Sequence, residues 1–216
     1  MQYKIAASIL NANFLYLKQE IDTVVDLVDE LHLDVMDGTF VDNLSFGAPV
    51  LGPLRSAYPN IVMESHLMIS KPHAYWGAFR DIGSSIITFH YEATHLRYIL
   101  LKQFQDAGIG AGISITPGTD AALLEPLREF IDRVLIMTVE PGFGGQAFVP
   151  PMLRKIEKTR KLLGDEVDIE VDGGIKDETI RDAKNAGANV FVVGSYIFKA
   201  EDKPARVNGL RERLAD

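Results

Sequence analysis

Apolar and polar residues alternate through the segment Leu31–Gly38, which reads LHLDVMDG. Successive side chains of a β-strand point to opposite faces, so this alternation predicts a strand with two different faces. The apolar face would be Leu31, Leu33 and Val35, and the opposite face His32, Asp34 and Met36. One face is suited to packing. The other carries either reactive groups or polar groups that are satisfied inside a core.

Short β-rich segments alternate with amphipathic helical segments along the whole chain. The segment 15–30, for example, spaces its apolar residues as a helix does. A glycine follows three of the helical segments, as a left-handed C-cap requires, at Gly83, Gly108 and Gly187. The eight predicted strands are 4–10, 31–36, 61–67, 85–91, 110–115, 133–139, 167–172 and 189–194.

Strict alternation of strands and helices implies parallel strands joined by right-handed crossovers. The two architectures that fit are a closed (β/α)8 TIM barrel and an open doubly wound sheet. The count of eight favours the barrel. So does the absence of GxGxxG after the first strand, where SILNANF stands instead.

The composition is that of an ordinary globular protein, with 47% hydrophobic and 24% charged residues among 216. The formal net charge of −8 disfavours a nucleic-acid partner, which would need a basic surface. The sequence contains no cysteine, no signal-peptide pattern and no apolar stretch long enough to span a membrane. We therefore expect one cytoplasmic domain over residues 1–216, with neither a nucleic-acid nor a membrane partner.

Ionisable residues recur at the C-terminal ends of the predicted strands, where barrel enzymes carry their functional groups. Four of them, from the second, third and seventh strands, are His32, Asp34, His66 and Asp172. A single buried His–Asp pair is usually structural, but repetition on three strands favours convergence on one divalent metal. Such ligands suit Zn²⁺, Mn²⁺, Fe²⁺ or Co²⁺. His90 and Glu92 are interpreted as polar neighbours near the rim.

The segment Val139–Gln146, VEPGFGGQ, holds three glycines in four positions after the sixth strand. Further glycines follow the seventh and eighth strands, in 172–175 and 193–198. Barrel enzymes commonly bind phosphate between those last two loops. Backbone N–H groups can hold an anion without lysine or arginine, which suits a chain of net negative charge. We predict a phosphorylated small molecule whose reacting end lies beside Asp172.

Two carboxylates on either side of a bound substrate can exchange protons with one carbon, and Asp34 and Asp172 are the candidates. One would remove the proton next to a carbonyl and the other would protonate the opposite face. A metal would lower the cost of the enediolate formed between these steps. The outcome is inversion at that carbon. Three methionines near strand ends either fill the core or cover the enediolate: Met36, Met68 and Met137.

Six motifs, in order and across nearly the whole chain, resemble the ribulose-phosphate 3-epimerase family. They are ASILNANF, LHLDVMDGTFVDN, ESHLMI, TVEPGFGGQ, EVDGGI and ANVFVVGSYIF. The resemblance implies a (β/α)8 barrel of the ribulose-phosphate-binding type that interconverts D-ribulose 5-phosphate and D-xylulose 5-phosphate. It also implies one divalent metal ion per subunit, with Zn²⁺ favoured over Fe²⁺, Mn²⁺ and Co²⁺, and a homo-oligomer.

The resemblance also implies a role for each matching residue. Asp34 and Asp172 would be the two acid/base groups. The metal ligands would be His32, Asp34, His66 and Asp172. The sugar would contact Ser8 and His66. The substrate and its phosphate would be held by Gly142, Phe143, Gly144, Gly145, Gly173, Gly174, Gly194 and Ser195.

Five positions depart from the usual motifs of the family: Ala7, Thr39, Asp42, Glu64 and Thr116. Thr39 and Asp42 alter the loop after the second strand, which we expect to line the pocket around the sugar. A six-carbon ketose phosphate such as D-allulose 6-phosphate is therefore an alternative substrate.

Two other classes of protein compete with this interpretation. A phosphosugar lyase or decarboxylase on a similar barrel would use a D-x-K-x-x-D pattern, and DVMD offers no lysine. A non-catalytic sugar-phosphate sensor would need the glycine loops but not both aspartates and both histidines.

Overall fold

The computed structural model of the chain describes residues 2–215, in which eight parallel strands close into a barrel in sequence order. The strands are β1 Lys4–Ser8, β2 Glu30–Met36, β3 Val62–Met68, β4 Ile86–His90, β5 Gly110–Ile115, β6 Arg133–Met137, β7 Asp168–Asp172 and β8 Val190–Val193. β1 pairs with both β2 and β8, so the sheet has no free edge. The predicted barrel is confirmed, and the open sheet was the wrong alternative.

Helices connect the strands on the outside of the barrel. They are α1 Leu17–Asp22, α2 Ala48–Ala57, α3 Pro72–Asp81, α4 Arg97–Asp106, α5 Met152–Leu163, α6 Asp177–Ala186, α7 Ser195–Phe198 and α8 Lys203–Ala215. Between β5 and β6 the chain forms a 3₁₀ helix, Ala121–Phe130, with Pro126 inside it. Proline has no N–H to donate, which disfavours a regular α-helix there.

The helix predicted over 15–30 is much shorter than expected, because α1 ends at Asp22. The β-branched residues Thr23, Val24 and Val25 follow directly, and such residues lose side-chain freedom in a helix. The chain continues through a turn at 23–27, and Val24 within it and Val28 just after it are still buried. The helical spacing of apolar residues therefore reflects burial here and not a continuous helix.

Strand side chains alternate between two buried environments, as the sequence pattern predicts. Leu31, Leu33 and Val35 of β2 belong to the large apolar cluster between the sheet and the helices. His32 and Asp34 point to the opposite side, into the barrel. The interior also contains a smaller apolar cluster from β1, β6 and β8, which includes Ala6, Leu135 and Val192. The barrel interior is thus a packed layer of mixed polar and apolar side chains.

Three turns return the chain to the N-terminal end of the barrel through a glycine with positive φ. Gly83, Gly108 and Gly187 have φ of 86°, 71° and 112°, which confirms the predicted caps. The longer loops after β2 and β6 and the short loop after β7 lie at the opposite end, where the functional groups lie. No helix in residues 2–215 is both long and apolar enough to cross a membrane.

Candidate functional site

The C-terminal ends of β2 and β3 bring two imidazoles and a carboxylate together. Asp34 and His66 are paired across the two strands, and Asp34 Oδ1 lies 3.0 Å from His66 Nδ1. The same oxygen lies 3.2 Å from His32 Nε2, and the two ring nitrogens are 3.3 Å apart. All three side chains are buried. They form a compact group of potential donor atoms.

Asp172, at the end of β7, completes this group from across the barrel. Its Oδ2 lies 3.9 Å from His66 Nδ1. One donor atom from each of His32, Asp34, His66 and Asp172 lies within 4.8 Å of the other three. Ser8 of β1 donates its hydroxyl hydrogen to Asp34 Oδ2 at 2.6 Å, which leaves Oδ1 facing the histidines. The four predicted ligands therefore lie at one point.

The surroundings shift the pKa values of the two aspartates in opposite directions. Burial alone would raise the pKa of Asp34, but the charge of His32 and hydrogen bonds with both histidines hold it well below its usual value. Burial and the charge of Asp34 raise the pKa of Asp172 to about 7. At neutral pH, Asp34 is ionised and Asp172 keeps a large share of its proton. Such a split is typical of an acid–base pair.

The same group of side chains fits a divalent cation. Burial lowers the pKa of His66 to about 4, so its imidazole is a neutral nitrogen donor at pH 7. Burial also opposes protonation of His32, but the carboxyls of Asp34, Glu170 and Glu64 raise its pKa well above the usual value. The centre thus attracts positive charge, which a metal ion would supply in place of a proton. Two imidazoles and two carboxylates suit Zn²⁺, Fe²⁺, Mn²⁺ or Co²⁺.

Each histidine has a further partner that the sequence analysis did not identify. His32 Nδ1 lies 3.2 Å from Glu64 Oε2. His66 Nε2 lies 2.9 Å from His90 Nε2, and His90 is fully buried. His90 Nδ1 also lies 3.5 Å from Glu92 Oε2, so the two are polar neighbours at the C-terminal end of β4 as expected, with His90 fully buried and 26% of the Glu92 side chain exposed. The sequence did indicate this position for His90. Thr88 and His90 are two residues apart on β4 and so share one face of the strand, as His32 and Asp34 do on β2.

Above the two histidines, the strand ends and loops surround a pocket that is partly open to solvent. Ser8, Asp34 and Asp172 line it. His32 and His66 lie beneath, fully buried, so contact between His66 and the sugar stays a prediction. Three buried methionines form an apolar wall beside the carboxylates: Met36, Met68 and Met137.

The other half of the pocket is built from glycine backbone. Its lining includes Gly142, Phe143, Gly144, Gly145, Gly173, Gly174, Gly194 and Ser195. A Cβ on Gly174 would lie 2.2 Å from Phe148 N, and one on Gly144 would lie 2.6 Å from Asn11 Oδ1. Within residues 2–215, no lysine or arginine lines this pocket. Backbone N–H groups and neutral side chains such as Ser195 are therefore the available donors for an anion. Asn11, which was not predicted, also lines the pocket.

The positions that depart from the usual motifs lie outside this pocket. Asp42 and Thr116 line an adjoining outer chamber, and Thr39 lies in a separate groove. Ala7 belongs to the layer between sheet and helices, and Glu64 lies beneath the histidines. The altered loop after β2 therefore borders the outer chamber and not the carboxylates.

A sequence model described as the ribulose-phosphate 3 epimerase family matches residues 4–198. A ribulose-phosphate 3-epimerase of Mycobacterium tuberculosis (strain ATCC 25618 / H37Rv) is 43% identical over 215 residues, which cover 97% of this chain and 92% of that protein. The protein named ribulose-phosphate 3-epimerase, cytoplasmic isoform, of Oryza sativa subsp. japonica is 42% identical, over 98% of this chain and 94% of that protein.

Solved structures of lower sequence identity share the fold. A crystal structure of 3-hexulose-6-phosphate synthase has a TM-score of 0.73 at 22% identity and covers 97% of this chain and 99% of that chain. The 3-keto-L-gulonate-6-phosphate decarboxylase of Vibrio cholerae has a TM-score of 0.74 at 17% identity, over 100% and 98% of the two chains. At these identities the likeness concerns the barrel alone.

Proposed function

The chain belongs to the ribulose-phosphate 3-epimerase family. We propose that it catalyses inversion at carbon 3 of D-ribulose 5-phosphate in this pocket, which gives D-xylulose 5-phosphate. The protein is an epimerase, an enzyme of the isomerase class. The observation that carries the mechanism is the pair Asp34 and Asp172. Their donor oxygens lie within 4.8 Å, and their pKa values are shifted in opposite directions.

Inversion requires removal of a proton from one face of carbon 3 and delivery of a proton to the other. Asp34, which is ionised and oriented by the Ser8 hydroxyl, takes the proton next to the carbonyl. Asp172, with its pKa raised to about 7, protonates the opposite face. In the reverse direction the two roles exchange. Acid–base steps of this kind contribute about 10²–10⁴-fold to the rate.

His32, Asp34, His66 and Asp172 would hold one divalent cation, with Zn²⁺ favoured and Fe²⁺, Mn²⁺ or Co²⁺ as alternatives. When bound, the cation would supply Lewis-acid stabilisation of the negative charge that develops on the substrate oxygens. The walls formed by Met36, Met68 and Met137 limit the access of water to the two carboxylates. A drier site strengthens every electrostatic interaction inside it.

The glycine half of the pocket supports a phosphorylated substrate. Backbone N–H groups around Gly173, Gly174 and Gly194 would bind the phosphate. The other end of the substrate would then contact the two aspartates. The absence of a pocket lysine within residues 2–215 disfavours the lyase alternative. D-allulose 6-phosphate remains the second candidate, because the outer chamber shares Glu140, Phe143 and Gln146 with the pocket and offers room for a longer ketose.

We also propose a homo-oligomer in the cytoplasm. The exposed Phe14 and Leu15, 51% and 87% accessible, support a contact surface between subunits. The rice relative's name, cytoplasmic isoform, supports the location. Light scattering during size-exclusion chromatography tests the oligomeric state, and a monomer at micromolar concentration would refute it.

The experiment that tests the function is NMR of D-ribulose 5-phosphate with the protein in D₂O. It follows deuterium entry at carbon 3 together with formation of D-xylulose 5-phosphate. We expect both in the metal-loaded protein, loss of both on chelation, and their return with Zn²⁺, Mn²⁺ or Co²⁺. A parallel sample holds D-allulose 6-phosphate.

Faster exchange with the hexulose phosphate would move the assignment to the second candidate. Deuterium entry without epimerisation would contradict a mechanism with two acid/base groups. No exchange with either compound in metal-loaded protein would refute an epimerase function and favour a sugar-phosphate sensor.

A further inference from the structure

Arg133, the first residue of β6, is a fully buried arginine inside the barrel. Its guanidinium makes a two-point contact with Glu30, with N–O distances of 2.6 and 2.8 Å. It also lies 3.1 Å from Glu64 Oε2 and 3.0 Å from Asp168 Oδ2. We call Glu30, Glu64, Arg133, Asp168 and Glu170 the internal ion cluster. It lies directly beneath the candidate metal centre.

Stability alone does not account for this cluster. Moving charges out of water costs several kcal/mol for each ion, and well-packed apolar residues often serve as well or better. A second metal does not account for it either. His32, Glu64 and Glu170 have donor atoms close enough to share an ion, but the Arg133 guanidinium already lies 3.1 and 3.8 Å from the two glutamates.

Glu64 is the residue that joins the internal ion cluster to the metal centre. Its Oε2 lies 3.2 Å from His32 Nδ1 and 3.1 Å from the Arg133 guanidinium. Its Oε1 accepts a hydrogen bond from the Thr88 hydroxyl. Arg133 and Thr88 therefore each hold one carboxylate oxygen of Glu64, and the oxygen held by Arg133 also faces the His32 ring. Glu30 touches the same guanidinium without contacting His32.

The neighbouring strand leaves space for this arrangement. Gly112 of β5 is paired with Thr88 of β4, and a Cβ on Gly112 would lie 1.9 Å from Thr88 Oγ1. A side chain at position 112 would push the hydroxyl away from Glu64. The glycine thus permits the Thr88 rotamer that holds the carboxylate.

We propose that Glu64, anchored by Arg133 and Thr88, is a positioning residue for His32. By accepting the hydrogen on Nδ1, it fixes the ring so that Nε2, the nitrogen that would bind the metal in place of a proton, faces Asp34 and His66. A hydrogen-bonded outer partner of this kind sets the tautomer and orientation of a metal-binding histidine. The inference rests on the proposed metal centre but assigns a role to residues outside its ligand set.

The test compares metal affinity in two matched pairs of variants. Glu64→Leu and Glu30→Leu each remove one carboxylate from Arg133, but only the first removes the carboxylate at 3.2 Å from His32 Nδ1, which is nearer than Glu170 at 3.5 Å. Thr88→Val and Thr88→Ser change no charge, and only the first removes the hydroxyl that holds Glu64. For each protein we would measure the Kd for Zn²⁺ by chelator competition, the visible spectrum of the Co²⁺ form and the melting temperature without metal.

We expect Glu64→Leu to weaken Zn²⁺ binding about 10- to 100-fold, as loss of such a partner does elsewhere, and to shift the Co²⁺ absorption bands. Thr88→Val should weaken binding in the same direction. Glu30→Leu and Thr88→Ser should keep the affinity and spectrum of the unsubstituted protein, even where melting temperatures fall. Equal affinities within each pair would overturn the proposal. If either leucine variant fails to fold, the comparison of Zn²⁺ affinity between Thr88→Val and Thr88→Ser tests the proposal on its own.

The readouts also separate this proposal from the proposed function. An unsubstituted protein that binds Zn²⁺ but epimerises neither ketose phosphate would refute the function, while the affinity differences would still support the role of Glu64. An unsubstituted protein that binds no stoichiometric Zn²⁺ or Co²⁺ would overturn both the metal centre and the positioning of His32.

Discussion

Replacing Asp172 with asparagine should abolish epimerisation and yet stabilise the metal-free protein at alkaline pH. Burial and the charge of Asp34 raise the pKa of Asp172 from its usual 3.8 to about 7, so the ionised carboxylate is unfavourable in the fold. Its nearest histidine nitrogen, His66 Nδ1, lies 3.9 Å away, beyond hydrogen-bond distance. The asparagine amide therefore removes an unfavourable charge and loses no hydrogen bond to this histidine.

The size and sign of the effect follow from the raised pKa. A change from 3.8 to about 7 corresponds to about 4 kcal/mol at most, and partial exposure of the side chain (19%) reduces it. The folded protein holds this proton more tightly than the unfolded chain. The penalty is thus absent below about pH 4, grows between about pH 4 and 7, and is complete above that range. The asparagine carries no such penalty.

Urea unfolding in the presence of a chelator, from pH 4 to pH 9, measures the difference. The free energy of unfolding of Asp172→Asn should match that of the unsubstituted protein at pH 4 and exceed it at pH 8. Bound Zn²⁺ should stabilise the variant less, because the variant lacks one of the four proposed ligands. The reasoning fails if the metal-free variant is no more stable at pH 8.

A control of opposite sign is available at Asp37. Burial opposes ionisation there too, but hydrogen bonds from Ser70, Phe40 and Thr39 lower its pKa to about 2. Asp37→Asn should therefore lose stability above about pH 4, because the unfolded chain binds this proton more tightly than the folded protein does.

Three further substitutions test other parts of the site. Ser8→Ala removes the 2.6 Å hydrogen bond to Asp34, and steady-state kinetics should show kcat lowered about 10- to 100-fold, as for a lost bond to a charged group. Gly174→Ala places a Cβ 2.2 Å from Phe148 N at a φ of +67°, so thermal melting should show a loss of about 1–3 kcal/mol and kinetics a raised KM. Lys155→Met removes Nζ contacts of 2.7–2.9 Å with three backbone carbonyls after β5, and hydrogen exchange at 116–119 should accelerate while turnover changes by less than about threefold.

The strands were predictable because their two faces differ in chemistry, and a period of two survives in the sequence. Every observed strand ends within two residues of its predicted limits. The end of the first helix was not predictable. Val24 and Val28 lie beyond the helix, but both are buried and so keep the helical spacing of apolar residues. Periodicity records which side chains are buried. The backbone between them also depends on local preferences, such as those of the β-branched run after Asp22.

The convergence of the four proposed metal ligands could be predicted from the sequence, but the ion cluster beneath them could not, for a physical reason. His32, Asp34, His66 and Asp172 stand in motifs, and their residue types alone suggest a metal. Glu30, Glu64 and Arg133 are single charges near the starts of apolar strands, where a charge usually meets solvent. The β2–β3 register sets Glu64 beside His32, and the β6–β7 register sets Arg133 beside Asp168. Arg133 meets Glu30 and Glu64 only because the closed barrel brings β6 opposite β2 and β3. No local pattern encodes that meeting, so a charge on an inward-facing position becomes informative once the register is known.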